Sequence, residues 1–559
     1  MNDNSEILYD NIVPRKFDTK NNGKKIYLRD EQQIISNSLI KGIIKSSKNK
    51  LLFIIIIIFS ITFFGLYKAF MYSIKDLNII KINQDLKQNR GLIVDRQENI
   101  ISASIPAKDL YFDPRKFINP ENSISKLKKI FPGRDFSNFK TIKNYRLIKK
   151  YISRSEEIEI KKIGEPGLVI EKTSRRVYPQ NNLFSHITGF LSKHGEAQSK
   201  VEKNFDDYLS KGHDLKLTLD LKVQNILHEE LYKGMKEFKS KSAAGIIIDV
   251  NNGEILSLVS LPDYNPNYPG MIQPYTENNL ITAARYEMGS TLKTFTVAAA
   301  IHSDIDVNET FFDIAEPYYI AKKEIKDLVK FDIPQNISQI FINSSNIGSI
   351  KLFEYTGLEN QKNFYELVGL RETLKVKGLR SINNKFPISW DENSGKSLSF
   401  GYGASITPIS LVRSFSTLVN GGYKINPTII ETKDLSKTKI LNGELSDKLN
   451  KLLFDVVELG TGGKAKVQKV QIGGKTGTAR KIKDGIYSKD VITSFVGVFP
   501  IPKPKYLVFI LFDEPRSENP NYNFYGGNTA APIFSKVVSR IYPILDSSQM
   551  LKNNPYLGN

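Results

Sequence analysis

Hydrophobic residues form one unbroken run near the start of the chain. Leu51–Tyr67 (LLFIIIIIFSITFFGLY) carries no charge. At roughly 1.5 Å per residue, such a helix nearly crosses a hydrocarbon core of roughly 30 Å. A buried helix of a soluble protein is the alternative, but isoleucines in series beside aromatic residues favour a membrane anchor. The run begins too late for a signal peptide, and no small-residue cleavage site follows it, so the anchor is expected to stay uncleaved.

The second half of the chain alternates between strand and helix patterns. Apolar runs bounded by turn residues predict strands, and longer amphipathic segments predict helices. The sheet strands are expected in Ala243–Pro262 (two, joined by Asn-Asn-Gly), Lys466–Ile482, Val491–Phe499 and Tyr506–Phe512. The helices are expected in Leu221–Met235, from about Ser290 to Ile301, and in Ala531–Tyr542, with a helical, loop-rich middle. This order predicts an α+β fold, an antiparallel sheet with helices against it.

Composition narrows the function classes. The net charge is +20, but the lysines are spread along the chain and no nucleic-acid-binding motif is present, so no nucleic-acid partner is expected. The same charge suits an anionic membrane or cell-wall polymer. Cysteine is absent, which excludes disulfides, thiolate metal sites and cysteine nucleophiles. The five histidines form no metal-binding pattern, and neither a metal nor a cofactor is expected.

A candidate nucleophile stands at the start of the predicted helix after residue 289. In Glu287–Phe295 (EMGSTLKTF), Ser290 precedes Lys293 by three positions, which places both on one helical face. The helix N-terminus would favour developing negative charge. No histidine is placed to form a triad, so a lysine would have to activate the serine. An ordinary helix start with a solvated lysine gives the same pattern, and Ser-x-x-Lys recurs elsewhere in this lysine-rich chain.

Two further motifs complete a set. Ser344-Ser-Asn346 lies in a predicted loop, and Lys475-Thr476-Gly477-Thr478 lies on a predicted strand after a double glycine. In this order, Ser-x-x-Lys, Ser-x-Asn and Lys-Thr-Gly are the signature of penicillin-binding proteins and class A β-lactamases. Each motif also has an ordinary structural interpretation: Ser344 as a helix cap, Asn346 as a turn residue and Lys475 as a solvated strand charge.

Acyl transfer to a serine gives each member of this set a role. Lys293 would accept the Ser290 proton if its pKa were lowered by burial and by the nearby Lys475 charge. Ser344 would relay the proton to the leaving amine, and Asn346 would hold the substrate amide. Lys475 would attract a terminal carboxylate beside Thr476. The backbone N–H groups of Ser290 and Thr478 are the candidate oxyanion donors, and Gly477 lets a peptide approach the strand.

Beyond these motifs, the chain resembles class B penicillin-binding proteins over nearly everything after the anchor. RGLIVDR (90–96), RRVYPQNNLFSHITGF (175–190) and VEKNFDDYL (201–209) are similar to segments of the family's non-catalytic pedestal domain. GEILSLVSLPDYNPN (253–267) is similar to the start of the transpeptidase domain. The glycosyltransferase domain of class A members is not found. One departure is Thr294-Phe295 after Lys293, where relatives often carry proline.

The resemblance implies a domain layout and an activity. The layout is a cytoplasmic tail (1–50), a transmembrane anchor (51–69), an elongated dimerisation-like pedestal (70–220), a transpeptidase domain (221–545) and a polar tail (546–559). The activity is that of a peptidoglycan D,D-transpeptidase, in which Ser290 attacks a D-Ala-D-Ala stem peptide and passes it to a neighbouring amine. β-Lactam antibiotics would acylate the same serine. The catalytic domain would lie on the periplasmic side of the bacterial inner membrane.

Shorter phrases favour the cell-division, FtsI-type subfamily. They are GYGASITP (401–408), KTGTARK (475–481) and DEP…YGGNTAAPIF (513–534). This subtype implies a septal role with a membrane glycan polymerase and other division proteins as partners. The alternatives are an elongation-type transpeptidase, a β-lactamase, and a non-catalytic penicillin sensor or scaffold. The anchor and pedestal argue against a β-lactamase, and the complete motif set argues against an inert scaffold.

Overall fold

The computed structural model describes residues 58–68, 90–136, 138, 143–192, 194–431, 437–518 and 523–552. The chain divides into two compact units, Met1–Asp85 and Leu86–Asn559. In the first unit, residues 58–68 are helical; the predicted tail 1–50 and the remainder of the predicted anchor lie outside the described residues. Among the helices that the structure describes, none is long and apolar enough to cross a membrane.

The second unit begins with a five-stranded sheet. Its strands are β1 (Ile93–Val94), β2 (Ile100–Phe112), β3 (Arg146–Lys149), β4 (Leu168–Val177) and β5 (Leu215–Lys216), and both β3 and β4 pair with β2. Two helices flank it, α1 (Pro120–Ile130) and α2 (Arg154–Ile163). Ser153 and Glu156 form a reciprocal capping box at the start of α2, and Gly164 ends the helix in the left-handed conformation. The sequence pattern predicts a mixture of short strand-like and helical pieces in residues 70–220, whereas β2 and β4 are long.

Short helices lead into the second sheet. They are α3 (Ser185–Thr188), α4 (Lys200–Asn204) and α5 (Asp206–Ser210), followed by the long helix α6 (Leu221–Glu237). Asp220 caps α6 by accepting hydrogen bonds from the N–H groups of Lys222 and Val223. The predicted helix in this stretch is therefore confirmed.

The strands of the second sheet are β6 (Ser242–Asp249), β7 (Ile255–Leu261), β14 (Gly473–Lys483), β15 (Ile486–Phe499) and β16 (Tyr506–Asp513). This sheet is antiparallel throughout, and its strand order is β14-β15-β16-β6-β7. The predicted hairpin and the last two predicted strands are confirmed. The predicted strand Lys466–Ile482 is partly wrong, because regular pairing begins only at Gly473.

Both faces of this sheet are buried, which explains its unbroken apolar runs. Along β16, Leu507, Phe509 and Leu511 contribute to one hydrophobic cluster, while Val508, Ile510 and Phe512 contribute to the other. Helices α6 and α14 (Ala530–Lys552) supply the second cluster. The first cluster is supplied by α7 (Lys293–His302), by α12 (Pro408–Val419) and α13 (Gly443–Leu459), and by smaller elements between them.

The segment between α7 and β14 holds the remaining elements. The helices are α8 (Ile337–Ile342), α9 (Asn346–Thr356), α10 (Leu358–Leu367), α11 (Glu392–Ser399), α12 (Pro408–Val419) and α13 (Gly443–Leu459). Short strands, which the sequence pattern missed, are β8 (Phe311–Phe312), β9 (Tyr318–Ile320), β10 (Lys323–Ile325), β11 (Gln335–Asn336), β12 (Tyr423–Lys424) and β13 (Thr438–Lys439). This arrangement places the start of α7, the start of α9 and the edge strand β14 around one cleft.

Candidate active site

Ser290 lies in a 3-10 turn, Gly289–Leu292, that runs directly into α7. Gly289 has a φ of +53°, and a Cβ on it would lie 2.3 Å from the carbonyl oxygen of Thr478. Only glycine therefore lets this turn pack against β14. The predicted helix start is confirmed to within a turn, and Ser290 is half-buried at the edge of a cleft of about 1210 Å³.

Lys293 is buried in the first turn of α7, with 1% of its surface exposed. Its Nζ donates hydrogen bonds to the carbonyl oxygen of Ser344 at 2.5 Å and to Oδ1 of Asn346 at 2.7 Å. Burial lowers the pKa of Lys293 to about 7, against the opposing charge of Asp327. The alternative of a solvated lysine is wrong, and burial, rather than the predicted effect of the Lys475 charge, lowers this pKa.

Lys475 lies on β14 with 0% exposure, so the alternative of a solvated strand charge is also wrong. Its Nζ donates to Oγ of Ser344 at 2.9 Å, and Nζ of Lys293 lies 3.4 Å from the same oxygen. Burial lowers the pKa of Lys475 well below its ordinary range, and the charge of Lys293 lowers it further. Two buried amines thus share one hydroxyl, an arrangement that favours a neutral form of one of them.

The loop before α9 places the Ser344 hydroxyl between the two lysines. Ser344 has a φ of +57°, a left-handed conformation that costs a non-glycine residue roughly 1–3 kcal/mol. The helix cap is the next residue, Ser345, whose Oγ accepts from the N–H of Gly348. Ser344 itself is therefore free of the capping role that the sequence left open. Such local strain at a cleft is typical of a functional position.

Asp327 is a site residue that the sequence analysis missed. Its carboxylate accepts hydrogen bonds from the backbone N–H groups of Asn346 and Ile347 and from the Ser345 hydroxyl, and so fixes the start of α9. It also raises the pKa of Lys293 against the effect of burial. Asp327 precedes the Ser-x-Asn motif by many residues in a loop without periodicity, so the sequence offered no signal for it.

The Lys-Thr-Gly-Thr segment forms the wall of the cleft. The hydroxyl of Thr476 lies 3.0 Å from that of Thr461, and Oγ1 of Thr478 accepts from the N–H of Gly526. A Cβ at Gly477 would lie 2.3 Å from Oγ of Ser494, so a side chain does not fit there. Because β14 is the edge strand of its sheet, its outer side is open to an extended peptide.

The structure thus brings all eight predicted residues to one place: Ser290, Lys293, Ser344, Asn346, Lys475, Thr476, Gly477 and Thr478. Their catalytic and binding roles stay predictions. Among the described residues, no cluster of His, Asp and Glu side chains has the geometry to hold a metal ion.

Residues 243–539 match the model of the penicillin-binding protein transpeptidase domain, and residues 85–215 match that of the penicillin-binding protein dimerisation domain. The chain belongs to the penicillin-binding protein transpeptidase family. It combines the mixed α/β fold of this family with a dimerisation domain.

Two relatives show how far the similarity to this family extends. The chain is 31% identical over 484 residues to a probable peptidoglycan D,D-transpeptidase FtsI of Caulobacter vibrioides, covering 83% of this chain and 82% of the relative. It is 26% identical over 511 residues to the peptidoglycan D,D-transpeptidase FtsI of Escherichia coli, covering 83% of this chain and 85% of the relative.

A solved structure also shares the fold. The crystal structure of a putative peptidoglycan glycosyltransferase from Atopobium parvulum superposes with a TM-score of 0.63, covering 84% of this chain and 98% of that one. At 18% identity it is similar in fold alone.

Proposed function

We propose that this penicillin-binding protein is a peptidoglycan D,D-transpeptidase that cross-links stem peptides through an acyl-enzyme on Ser290. The observation that carries the proposal is the pair of buried amines, Lys293 and Lys475, around the hydroxyl of Ser344, which lines the same cleft as Ser290. The names of the relatives from Caulobacter and Escherichia coli support the same reaction and a role at the division septum.

Acylation begins when Oγ of Ser290 attacks the carbonyl carbon between the two terminal D-alanines. Lys293 accepts the hydroxyl proton, because a pKa of about 7 leaves a substantial neutral fraction at neutral pH. The Oγ–C bond forms and the C–N bond breaks. The leaving D-alanine amine takes its proton from Ser344, whose Oγ is hydrogen-bonded to Lys475 at 2.9 Å. Lys293, 3.4 Å from the same oxygen, returns a proton to Ser344 and is neutral again. A peptide amine of a second stem then attacks the ester carbon: the new C–N bond forms, the C–Oγ bond breaks, and the proton lost by the amine passes through Lys293 to Oγ of Ser290.

The cleft walls hold the substrate during these steps. The backbone N–H groups of Ser290 and Thr478 stabilise the oxyanion, and the close packing of Gly289 on Thr478 brings these two backbone segments together. Lys475 and Thr476 attract the terminal carboxylate, whose charge would raise the pKa of the Lys475 amine and keep it protonated. Asn346 holds the substrate amide while its own Oδ1 orients Lys293.

The cellular setting is part of the proposal. The layout is a cytoplasmic tail (1–50), an anchor (51–69) in the bacterial inner membrane, a periplasmic pedestal (70–220) and a transpeptidase domain (221–545). The membrane glycan polymerase and other division proteins are the proposed partners, as the resemblance to the cell-division subfamily implies. A chain shortened to begin at Ile74 should be soluble and still label with penicillin; loss of labelling in that form alone would contradict the layout.

Labelling with a fluorescent penicillin, followed by intact-mass spectrometry, tests the reaction. A β-lactam resembles the terminal D-Ala-D-Ala, and the proposed acceptor is a bulky amine rather than water. We expect one adduct that persists for many minutes after free drug is removed, and none in Ser290→Ala. An adduct that disappears within seconds would indicate a β-lactamase, and an adduct in Ser290→Ala would reject the nucleophile.

A further inference from the structure

The cleft around Ser290 carries more positive charge than binding one terminal carboxylate requires. Five cationic side chains line it: Lys323, Lys326, Lys464, Arg480 and Lys489. Two carboxylates line it, Glu324 and Asp490. An anionic substrate would therefore be attracted along the whole cleft rather than only at Lys475.

Both carboxylates of the lining are already paired. Glu324 lies 2.9 Å from Nζ of Lys326, and Asp490 pairs with Lys483 outside the lining. Within the part of the chain that the structure describes, Arg480 and Lys489 form no ion pair with a carboxylate. Both side chains are exposed to solvent on the cleft wall. These two cations are therefore available to a ligand.

The position of Arg480 on β14 relates it to the reaction. Side chains of a strand alternate, so Arg480 shares a face with Thr476 and Thr478, and all three line the cleft. Arg480 follows Thr478 by two residues, a rise of roughly 6.6 Å. Its backbone is held in the sheet opposite Val491, so only the side chain is free to move.

The proposed substrate direction leads the stem peptide toward Arg480. Lys475 holds the terminal carboxylate at one end of the motif, and the scissile carbonyl lies at Ser290 and Thr478. The residues that precede D-Ala-D-Ala must then continue away from Lys475 along the edge strand. Because peptide and strand rise by similar amounts per residue, the residue just before D-Ala-D-Ala comes within reach of the Arg480 guanidinium.

We propose that Arg480 determines donor specificity by binding a second carboxylate, carried by the residue before D-Ala-D-Ala. The inference rests on the proposed function and names its substrate class: acidic stem peptides with that carboxylate free rather than amidated. The planar guanidinium binds a carboxylate through two parallel hydrogen bonds. Lys489, on β15, adds positive charge, but its ammonium group does not offer the two parallel hydrogen bonds of a guanidinium.

Matched thioester donors test this assignment on the full chain. Both probes end in D-alanyl-thioglycolate. The residue before it is 2-aminoadipate, with its side-chain carboxylate free in one probe and converted to the primary amide in the other. Thiol release reports turnover without background from the protein, because the chain contains no cysteine. We expect wild type to use the acid with about tenfold higher kcat/KM, the scale of one hydrogen bond to a charged group.

Variants assign the preference to a residue. Arg480→Gln should lose it by slowing on the acid alone, and Arg480→Lys should retain part of it. Lys211→Gln, an exposed lysine outside the cleft lining, is the matched control and should behave as wild type. Equal kcat/KM for both probes in wild type would overturn the proposal, as would an unchanged preference or an equal loss on both probes in Arg480→Gln.

The same assay separates this inference from the proposed function. If penicillin and both thioesters fail to acylate Ser290, the transpeptidase proposal is wrong and the inference fails with it. If both thioesters react at the same rate, the transpeptidase proposal is supported and only the proposed role of Arg480 is wrong.

Discussion

Two regions of the molecule bury charge in opposite ways. In the dimerisation domain, Glu202 has 0% exposure and lies 2.7 Å from Nε of Arg90 and 2.8 Å from Nε of Arg176. Its carboxylate also accepts from Tyr178 and Ser102. In the cleft, two lysines of the same charge are buried around one serine hydroxyl.

This difference distinguishes a cluster of charges that stabilises the fold from a cluster that is suited to acid–base chemistry. In the Glu202 cluster each charge has an opposite partner, and these contacts connect β2, β4 and α4. In the cleft, burial is not offset by a full set of counter-charges, so the pKa values of Lys293 and Lys475 are lowered instead. A buried amine that is neutral part of the time is a base, and this is what acyl transfer to a serine needs.

The largest expected effect is on the rate in the cleft. Lys293→Ala should slow acylation of Ser290 by about 10²-fold or more, because the general base is lost. The free energy of unfolding should not show a loss as large as that in the acylation rate, because the substitution also removes a buried charge. Stopped-flow kinetics with a chromogenic β-lactam and chemical denaturation measure the two effects. Near-normal acylation in this variant would reject the lysine as base.

The opposite result is expected in the dimerisation domain. Glu202→Ala leaves the largely buried Arg176 side chain without a counter-charge and leaves Arg90 with Asp206 alone, which should cost about 3–5 kcal/mol of stability. Acylation per folded molecule should stay near that of wild type. Glu359→Ala, which removes an exposed partner of Lys362, is the control and should cost less than about 1 kcal/mol. If Glu202→Ala unfolds no more easily than this control, the cluster is not structural.

The sequence predicted the features that depend on residues close together in the chain, and it missed those that depend on residues far apart. The strands β6, β7, β15 and β16 were predicted, because their apolar runs and the Asn-Asn-Gly turn are local signals. The three motifs identified the candidate site because each is a short pattern in a fixed order. Burial of Lys293 and Lys475 was not predictable, because it depends on helices and strands far apart in the chain.

Interactions between distant residues explain the remaining failures. Arg90 and Glu202 are 112 residues apart, and only the folded chain shows that they pair. Asp327 acts on α9 from a loop, and the left-handed conformation of Ser344 has no marker such as glycine. The strand predicted from Lys466 began late, because Val467 and Val470 pair with each other in a local turn.

The two lysines of the cleft are expected to differ from each other. Lys475→Met should slow acylation by β-lactams that carry a carboxylate by roughly tenfold to thirtyfold, the scale of a lost hydrogen bond between charged groups. A neutral β-lactam that lacks the carboxylate should be affected much less. A paired comparison of the two drugs on both proteins measures this. An equal loss for both drugs would mean that Lys475 acts on Lys293 rather than on the substrate.

The smallest expected effect is a pH dependence confined to the cleft. Burial lowers the pKa of Lys293 to about 7, so its amine is mostly protonated and unreactive as a base below that pH. Acylation should rise about tenfold from pH 6 to a plateau above pH 8. The Glu202→Ala variant should keep this profile, since that cluster lies in the other region. Second-order acylation rates across pH 5.5–8.5 measure it, and a flat profile would mean that Lys293 does not titrate in this range.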